Sequence, residues 1–323
     1  MARHHYVPRF ILRRFADERE QIRVVEREDL SRTYLSSVRK TATATDYYSI
    51  PTELLEPESR SGHKPDQIEE SLSFIEDQAA EQINAIREGS WQPTAENFYQ
   101  LVRFVAFQMC RGPGFRRDYS GIATAAARRL VQSNIAEERV RTYLEATRGN
   151  PTEAEVKAFA ERARATDFEM VPSDVHALQE SMRFAIEMFL PHLLTRSPQI
   201  LRFSAPSLMT SDRGVGLWAP DASHPRSVEV ANARAVFMPL DRHTALSLTN
   251  RDTFSDTYVT AFWARHINLS VSDRATSWLY HHPDDHPLKG LVLPPPRRLV
   301  SAPTSSRVRE IGALVVHKIQ YWE

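Results

Sequence analysis

The stretch AENFYQLVRFVAFQMCR, residues 95–111, carries the clearest structural signal in the chain. Apolar side chains repeat at helical spacing on two of its faces, with Phe98, Val102, Val105 and Met109 on one and Leu101 and Phe104 on the other. A helix that is apolar on most sides is buried in the core of a protein. The stretch therefore predicts a buried helix, on which Gln108 and Arg111 face an interior or a cleft.

The charge of Arg111 makes this helix a candidate site. A buried guanidinium needs an anion beside it. Gln108 and Arg111 are spaced i and i+3, so both can reach one ligand. The anion is either a substrate phosphate or carboxylate, or a carboxylate of the protein. Glu76 is the candidate for the protein partner, because it sits at the edge of an apolar stripe and not on the solvated side of its own helix.

Further helices are predicted on both sides of this stretch. Residues 66–88 show one apolar stripe, and Gly89 is placed to end that helix. Thr152 and Glu155 form a capping box, which opens another helix. Residues 173–190 have the pattern of a long helix. The middle of the chain is therefore expected to be mainly helical.

Strand-like segments dominate the last third of the chain. Short apolar segments between turn residues predict strands, at 21–26 and 46–50 near the start and at 200–203, 215–218, 228–230, 235–238 and 245–248 later. Residues 256–280 then return to a helical pattern. Runs of helices followed by runs of strands favour an α+β fold, with a helical N-terminal and middle region packed on a β-rich C-terminal region.

The expected organisation has two regions in one integrated domain. Residues 1–198 are the mainly helical region, with short N-terminal strands. Residues 199–323 are the β-rich region, with one long helix. A chain of 323 residues is long for one core and short for three, which agrees with this arrangement.

Composition excludes several classes of protein. Basic and acidic residues both number 41, so the net charge is zero, which argues against a polycation that coats nucleic acid. A local basic groove is still compatible, because residues 101–130 hold six arginines and one acid. The only cysteine, Cys110, excludes an intramolecular disulfide and a zinc site built from cysteines. The absence of an apolar signal core and of a run of about 18 apolar residues predicts a soluble cytoplasmic protein with no membrane partner.

Two further segments carry candidate chemistry. The first is His5-Tyr6-Val7-Pro8, where an apolar cluster ties the start of the chain into the fold. A histidine entering a core there is either a general base or metal ligand, or a hydrogen-bonded structural imidazole. The second is a polar turn at Asp212, which is expected to orient His5, bind a metal or transfer a proton. For this turn the spacing favours the alternative, an Asx turn in which Asp212 bonds its own backbone.

At these positions the chain resembles a bacterial family of unknown function that is recognised by an N-terminal His-Tyr-Val-Pro motif. The matching residues follow one another along most of the chain: His5-Tyr6-Val7-Pro8 with Leu12, Arg13 and Phe15; Asp46-Tyr47-Tyr48-Ser49; Ile75-Glu76; Gln108, Arg111 and Pro113; Thr210-Ser211-Asp212; Pro239-Leu240; and Asn268. The chain departs from the family pattern twice. Arg213-Gly214 stand where the pattern has Asn-Pro, and Arg242 stands where proline is usual.

The resemblance implies a set of polar residues drawn from distant parts of the chain: His5, Glu76, Gln108, Arg111, Asp212 and Asn268. If they meet, they supply an imidazole, two carboxylates, two amides and a guanidinium. That set suits acid–base hydrolysis or a metal-assisted cut at phosphate. The family itself implies no established activity.

The leading hypothesis is a hydrolase acting on a phosphodiester, of the kind found in nuclease effectors. His5 is the expected general base, and Arg111 is expected to stabilise the developing charge on phosphate. Asp212 and Glu76 are expected to bind a divalent metal or to orient His5. Nucleic acid or another phosphate-containing ligand is the expected partner.

Two alternatives remain open at this stage. In one, the protein is a non-catalytic binding or scaffold module, and the polar set is an internal network that fixes the fold. In the other, the protein is an enzyme acting on a small carboxylated metabolite, which Arg111 clamps.

Overall fold

The structure is a computed structural model, and it describes residues 3–54, 64–166, 169–220, 229–250 and 253–295. Helices lie mostly in the N-terminal and middle region and strands concentrate in the C-terminal part, which confirms the α+β prediction. The helices are α1 (Arg9–Leu12), α2 (Gln67–Glu88), α3 (Ala95–Cys110), α4 (Pro113–Asn134), α5 (Glu137–Arg148), α6 (Glu153–Ala165), α7 (Asp174–Arg183), α8 (Leu190–Leu194) and α9 (Ala261–Arg274). Short 3₁₀ turns occupy Arg13–Phe15 and Thr52–Leu54, and a π-helical turn occupies Phe184–Phe189. No helix in these ranges is long and apolar enough to cross a membrane.

The strands form three sheets within the described residues. They are β1 (Arg3–His5), β2 (Gln21–Glu26), β3 (Thr33–Ser37), β4 (Thr43–Thr45), β5 (Ser197–Arg202), β6 (Thr210–Ser211), β7 (Gly216–Trp218), β8 (Ala235–Pro239), β9 (Thr244–Thr249), β10 (Ser255–Tyr258) and β11 (Trp278–His281). The sheet orders are β1-β4, β10-β5-β9-β8-β7 and β3-β2-β11-β6. All pairs are antiparallel except β10 with β5.

The four-stranded sheet joins distant parts of the chain. β2 pairs with β11, so that Val25 lies opposite Leu279. Both side chains are buried, and they pack with Met209 and Ala275 in one hydrophobic cluster. Sequence positions near 25 and near 280 therefore share one core.

The chain forms two compact units. Of the described residues, the first unit contains 3–116 and 175–295. The second contains 117–166 and 169–174, and there α5 packs on α6 through Val140, Leu144, Val156 and Ala160. The expected regions at 1–198 and 199–323 stay a prediction. Residues 296–323, the end of the expected β-rich region, lie outside the described residues.

The observed ends of α2 and α3 agree with the residues that were expected to begin and end helices. Gly89 follows α2 with a left-handed φ of 73°, which glycine adopts without steric cost. α3 begins after Thr94, whose side chain accepts a hydrogen bond from the backbone N–H of Asn97. Its side chains from Leu101 onward are almost all buried, as the apolar pattern predicted.

Three expected elements differ from the structure. The predicted strand at residues 46–50 is wrong, because β4 ends at Thr45 and Asp46 has a left-handed φ of 49°. The expected helix over 256–280 is also wrong at its ends, where β10 and β11 flank the shorter α9. The segment 228–230 forms no strand at residues 229 and 230, and residue 228 lies outside the described residues.

The expected long helix at 173–190 is divided by the π-helical turn and continues through α8. Pro191 does not end it. Pro191 lies in the first turn of α8, where a residue without an N–H is tolerated.

The capping box of α6 gives a test of local stability in the second unit. The side chain of Thr152 accepts from the N–H of Glu155, and the Glu155 carboxylate accepts from the N–H of Thr152 at 2.7 Å. Thr152→Ala removes this cap, which typically costs about 1 kcal/mol. We expect amide hydrogen exchange in α6 to become about fivefold faster. Thr152→Ser keeps the hydroxyl and should leave the exchange rates unchanged; equal rates in the two variants would show that the cap does not stabilise α6.

Candidate functional site

The start of the chain is held in a sheet, which sets the directions of its two histidines. β1 pairs with β4, and His4 and His5 lie opposite Ala44 and Thr43. Neighbouring residues of a strand point to opposite faces. The His4 ring is buried, stacks on Tyr48, and accepts the Tyr48 N–H at Nδ1 over 2.9 Å. The His5 ring lies on the other face and is half-buried.

Arg111 is the centre of the buried polar contacts. Its side chain is 2% exposed. Nη1 donates to Oε1 of Glu76 over 2.6 Å, and Nη2 donates to the main-chain oxygen of His5 over 2.8 Å. Nε donates to the hydroxyl of Tyr48 over 3.1 Å, and that hydroxyl donates in turn to the main-chain oxygen of Arg111. Of the two anions predicted for Arg111, the structure provides the carboxylate of Glu76.

The Arg111 guanidinium stays charged in this environment. Burial lowers its pKa, but the neighbouring Tyr48 and Glu76 outweigh burial, so the pKa lies above its ordinary value. All three of its nitrogens have partners within the protein. The geometry therefore gives no support to the alternative in which Arg111 clamps a carboxylated metabolite.

Gln108 binds the chain just after His5. Its Nε2 donates to the main-chain oxygen of Tyr6 over 3.2 Å. Its side chain also packs against Gly214, where a Cβ atom would lie 3.3 Å from Cγ of Gln108. Gly214 has a φ of 68°, so the departure from the family pattern places a glycine where a left-handed backbone and a close contact coincide.

Asp212 holds the connection between α9 and β11. Its Oδ1 accepts the N–H of Thr276 over 2.8 Å, and its Oδ2 accepts the N–H groups of Ser277 and Trp278 over 2.7 and 3.2 Å. The predicted Asx turn is therefore wrong about the partner, since the bonded backbone lies more than sixty residues away. The carboxylate does not contact His5 in this arrangement. Its position also makes it a poor metal ligand, because three N–H groups already occupy both oxygens.

Asn268 clamps α9 to the segment that leads into β6. Its Oδ1 accepts the N–H of Met209 over 3.2 Å, and its Nδ2 donates to the main-chain oxygen of Ser207 over 2.8 Å. Asn268 is buried, and a second, longer contact joins Nδ2 to Pro287. The amide thus replaces backbone pairing that this irregular segment lacks.

Five of the six predicted polar residues lie in one connected region. Gln108 and Arg111 bond the His5-Tyr6 segment directly, and Glu76 reaches it through Arg111. The main-chain oxygen of Asp212 lies 3.1 Å from where a Cβ atom of Gly112 would stand. Within the described residues, the side chain of Asn268 bonds main-chain groups of Met209, Ser207 and Pro287 and none of the other five. Among the described residues, no group of three or more histidine, cysteine or acidic side chains is arranged to hold a metal ion.

The His5 ring is bonded through one of its two nitrogens; within the described residues, Gln108 also has an atom without a partner, its buried Oε1. The Nε2 of His5 lies 3.2 Å from the main-chain oxygen of Val38. A carbonyl oxygen only accepts, so Nε2 carries the proton and Nδ1 keeps a lone pair. Nδ1 has no hydrogen-bond partner among the residues that the structure describes.

Burial is the main reason that the His5 ring is neutral. Burial lowers the pKa of His5, and the cationic side chains of Arg9, Arg111 and Arg3 lower it further, against a smaller opposite effect of the bond to Val38. Arg3 and Arg9 are exposed, and neither forms an ion pair within the described residues. A neutral imidazole in a cationic surrounding is therefore the chemically distinctive feature of this region.

Sequence reasoning missed two residues of the site. Tyr48 was expected on a strand, but its hydroxyl links the side chain and the main chain of Arg111. In the sequence, only the match of Asp46-Tyr47-Tyr48-Ser49 to the family pattern pointed to Tyr48. Val38 contributes only its main-chain carbonyl, which every residue type has, so no sequence pattern indicates its contact with His5.

Removing the charge of Glu76 tests how much the fold depends on the buried pair. Glu76→Gln leaves the buried Arg111 cation without its anion, and breaking such a pair costs about 3–5 kcal/mol. We expect urea unfolding to show a loss of that order in the free energy of unfolding. Glu70→Gln is the matched control, because Glu70 is an exposed acid on the same helix, and it should change that free energy by less than about 0.5 kcal/mol. Equal effects of the two substitutions would contradict a structural role for the pair.

Comparison with known proteins gives one match. No curated protein matches the chain, and no solved structure matches it. A family model described as "Protein of unknown function (DUF4238)" matches residues 3–285. That span covers most of the chain, so the expectation of a family of unknown function is confirmed. The chain belongs to this family, DUF4238.

Proposed function

We propose that the protein is a hydrolase acting on a phosphodiester, with His5 as its general base. One observation carries the proposal: the His5 ring is fixed at Nε2 by the carbonyl of Val38, and Nδ1 is unpaired among the described residues. Glu76, Gln108 and Arg111 support the fold around this base.

The geometry of His5 suits proton abstraction. A general base must be neutral, oriented and within reach of the proton that it takes. The bond to Val38 orients the ring and fixes the tautomer, as a carbonyl partner does for histidine in other sites. The lowered pKa of His5 keeps most of the rings unprotonated at neutral pH.

The surface around His5 suits a phosphate substrate. Arg3 and Arg9 are exposed near the ring, and Arg39 and Lys40 are exposed directly after Val38. A cluster of one sign of charge raises the local concentration of an oppositely charged ligand. These four cations are free to face a phosphodiester, whereas Arg111 is not.

The proposed step transfers one proton and exchanges one P–O bond. A water molecule gives a proton to Nδ1 of His5 while its oxygen forms a bond to phosphorus. The bond from phosphorus to the leaving oxygen breaks, and that oxygen takes up a proton from solvent. The protonated His5 ring then releases to solvent the proton that it accepted. Arg3 and Arg9 stabilise the negative charge on phosphate. Arg111 is a positioning residue, because it holds the main-chain oxygen of His5 and Glu76 holds Arg111 in turn.

His5→Gln tests the base. We expect purified protein to hydrolyse bis(p-nitrophenyl) phosphate or a nucleic acid, assayed at low salt with and without Mg²⁺ or Mn²⁺. Loss of a general base typically lowers the rate about 10²–10⁴-fold. The wild-type kcat/KM should be constant at high pH and fall as the pH drops through the pKa of His5, below its usual value of about 6.5. The sign follows because only the neutral ring accepts a proton.

The control for this experiment is a histidine elsewhere on the surface. His286 is exposed, and His286→Gln should retain the wild-type rate and pH profile. Circular dichroism must show that both variants are folded. Absence of hydrolysis by the wild type, or a His5→Gln variant with full activity, would refute the proposal.

A second candidate function is a non-catalytic module that binds phosphate-containing polymers. It is favoured by the side chains of Gln108, Arg111, Asp212 and Asn268, each of which bonds to main-chain groups of the protein. If the protein is such a module, the polar set fixes the fold. The cations near His5 then bind nucleic acid without cleaving it.

Salt dependence tests binding apart from cleavage. Each phosphate contact contributes about −0.9 to the slope of log K against log salt concentration for duplex DNA. Replacing Arg3 and Arg9 together by glutamine should therefore weaken binding and reduce the magnitude of the slope by about 2. Arg32→Gln is the control, since Arg32 is an exposed arginine that pairs with Glu26 on another sheet. Binding without cleavage would favour the module over the hydrolase, and no binding at low salt would exclude both.

A further inference from the structure

A polar cavity of about 370 Å³ lies at the C-terminal end of α2, away from His5. It is bordered by the end of β5, the turn between β8 and β9, and the edge strand β10. Its polar lining includes Arg87, Arg202, Ser204, Asp241, His243 and Tyr258. Eleven residues of α2 separate Glu76 from Arg87, which is about 16 Å along the helix axis.

The two arginines of the cavity are fixed in place but keep free donors. Arg202 makes two hydrogen bonds to the carboxylate of Asp256, at 2.6 and 2.8 Å, and a third to the main-chain oxygen of Ile86. Its Nη1 has no partner in the part of the chain that the structure describes. Arg87 binds Asp241 through Nε alone, at 3.0 Å, so both of its terminal nitrogens remain free among the described residues. An anion that enters the cavity meets donors that are already oriented.

The charges near the cavity are not balanced. Arg14 lies beside the pair of Arg87 and Asp241, and burial followed by repulsion from Arg87 lowers its pKa to about 10, against the attraction of Asp241. Its Nε and Nη1 are buried and have no hydrogen-bond partner within the described part of the chain. Of the residues that line the cavity, Arg87 and Arg202 bring two guanidinium groups and Asp241 brings one carboxylate. An added anion would restore the balance.

We propose that this cavity binds the phosphate group of a small phosphate monoester. The two arginines come from separate elements, α2 and β5. A phosphate monoester offers them three oxygens and a charge of about −1.5 to −2, whereas a carboxylate offers two oxygens and a single charge. The cavity is much larger than a phosphate ion, so it has room for the organic part of the ligand. The exposed ring of Tyr258 at its rim offers a face on which that part can stack. This site does not depend on the proposed role of His5.

Calorimetric titration of the whole protein tests the site. The probes are adenosine 5′-monophosphate, inorganic phosphate and acetate, each at low salt. We expect the monophosphate to bind, inorganic phosphate to compete with it, and acetate to compete far more weakly. Arg87→Gln should raise the dissociation constant of the monophosphate at least about tenfold, because it removes a charge-assisted contact. The Arg87 side chain is half-exposed, so its substitution should leave the fold intact.

Arg32→Gln is again the matched control and should leave the dissociation constant unchanged. A wild-type protein that binds neither the monophosphate nor inorganic phosphate would overturn the proposal. Equal affinity in the Arg87→Gln variant, or acetate that competes as well as phosphate, would overturn it too. The His5→Gln variant should bind the monophosphate like the wild type, which separates this result from the test of hydrolysis.

Discussion

The contact between Arg111 and Glu76 is the constraint on which the rest of the region depends. A guanidinium that is almost completely buried is tolerated only if an anion and further acceptors surround it. Glu76 supplies the anion, and the main chain of His5 and the hydroxyl of Tyr48 supply the acceptors. These contacts join α2, α3 and β1 at one point. The N-terminal strand, which carries His5, is therefore fixed by a charge in the middle of the chain.

Buried arginines serve the same purpose elsewhere in the first unit. Arg196 donates to the main-chain oxygens of Val230 and Ala233, and Arg27 donates to that of Ser272. A guanidinium offers five N–H donors in a rigid plane, so one side chain can satisfy several carbonyls at the ends of helices and strands. Of the six arginines at residues 101–130 that suggested a basic groove, Arg111 is likewise used inside the fold.

Arginines on the surface divide into two groups with different chemistry. Arg3 and Arg9 have no ion-pair partner among the described residues and act on the His5 ring through their charge. Arg87 and Arg202 are oriented by carboxylates and face a cavity. The first arrangement favours a mobile polyanion at an open surface, and the second favours a small anion at a defined place.

The sequence by itself determined the α+β class, the buried helix at residues 95–110 and the ends of several helices. These features follow from local physics: apolar periodicity, the hydroxyl of Thr152 and the left-handed backbone of Gly89 act within a few residues. It also limited the partner of Arg111 to two choices. The prediction of a strand at residues 46–50 is wrong. Tyr48 does not lie in a sheet there, but bonds the ring of His4 and the main chain of Arg111.

Only the tertiary structure decided what the polar residues do. Asp212 bonds backbone more than sixty residues away, and the partner of His5 is a carbonyl thirty-three residues away. Main-chain partners at such distances leave no pattern in a sequence, because every residue type has the same carbonyl and nearly every one has the same N–H. For the same reason the sequence did not predict the cavity at Arg87 and Arg202. Residues of four elements line it, and these elements meet only when the chain folds.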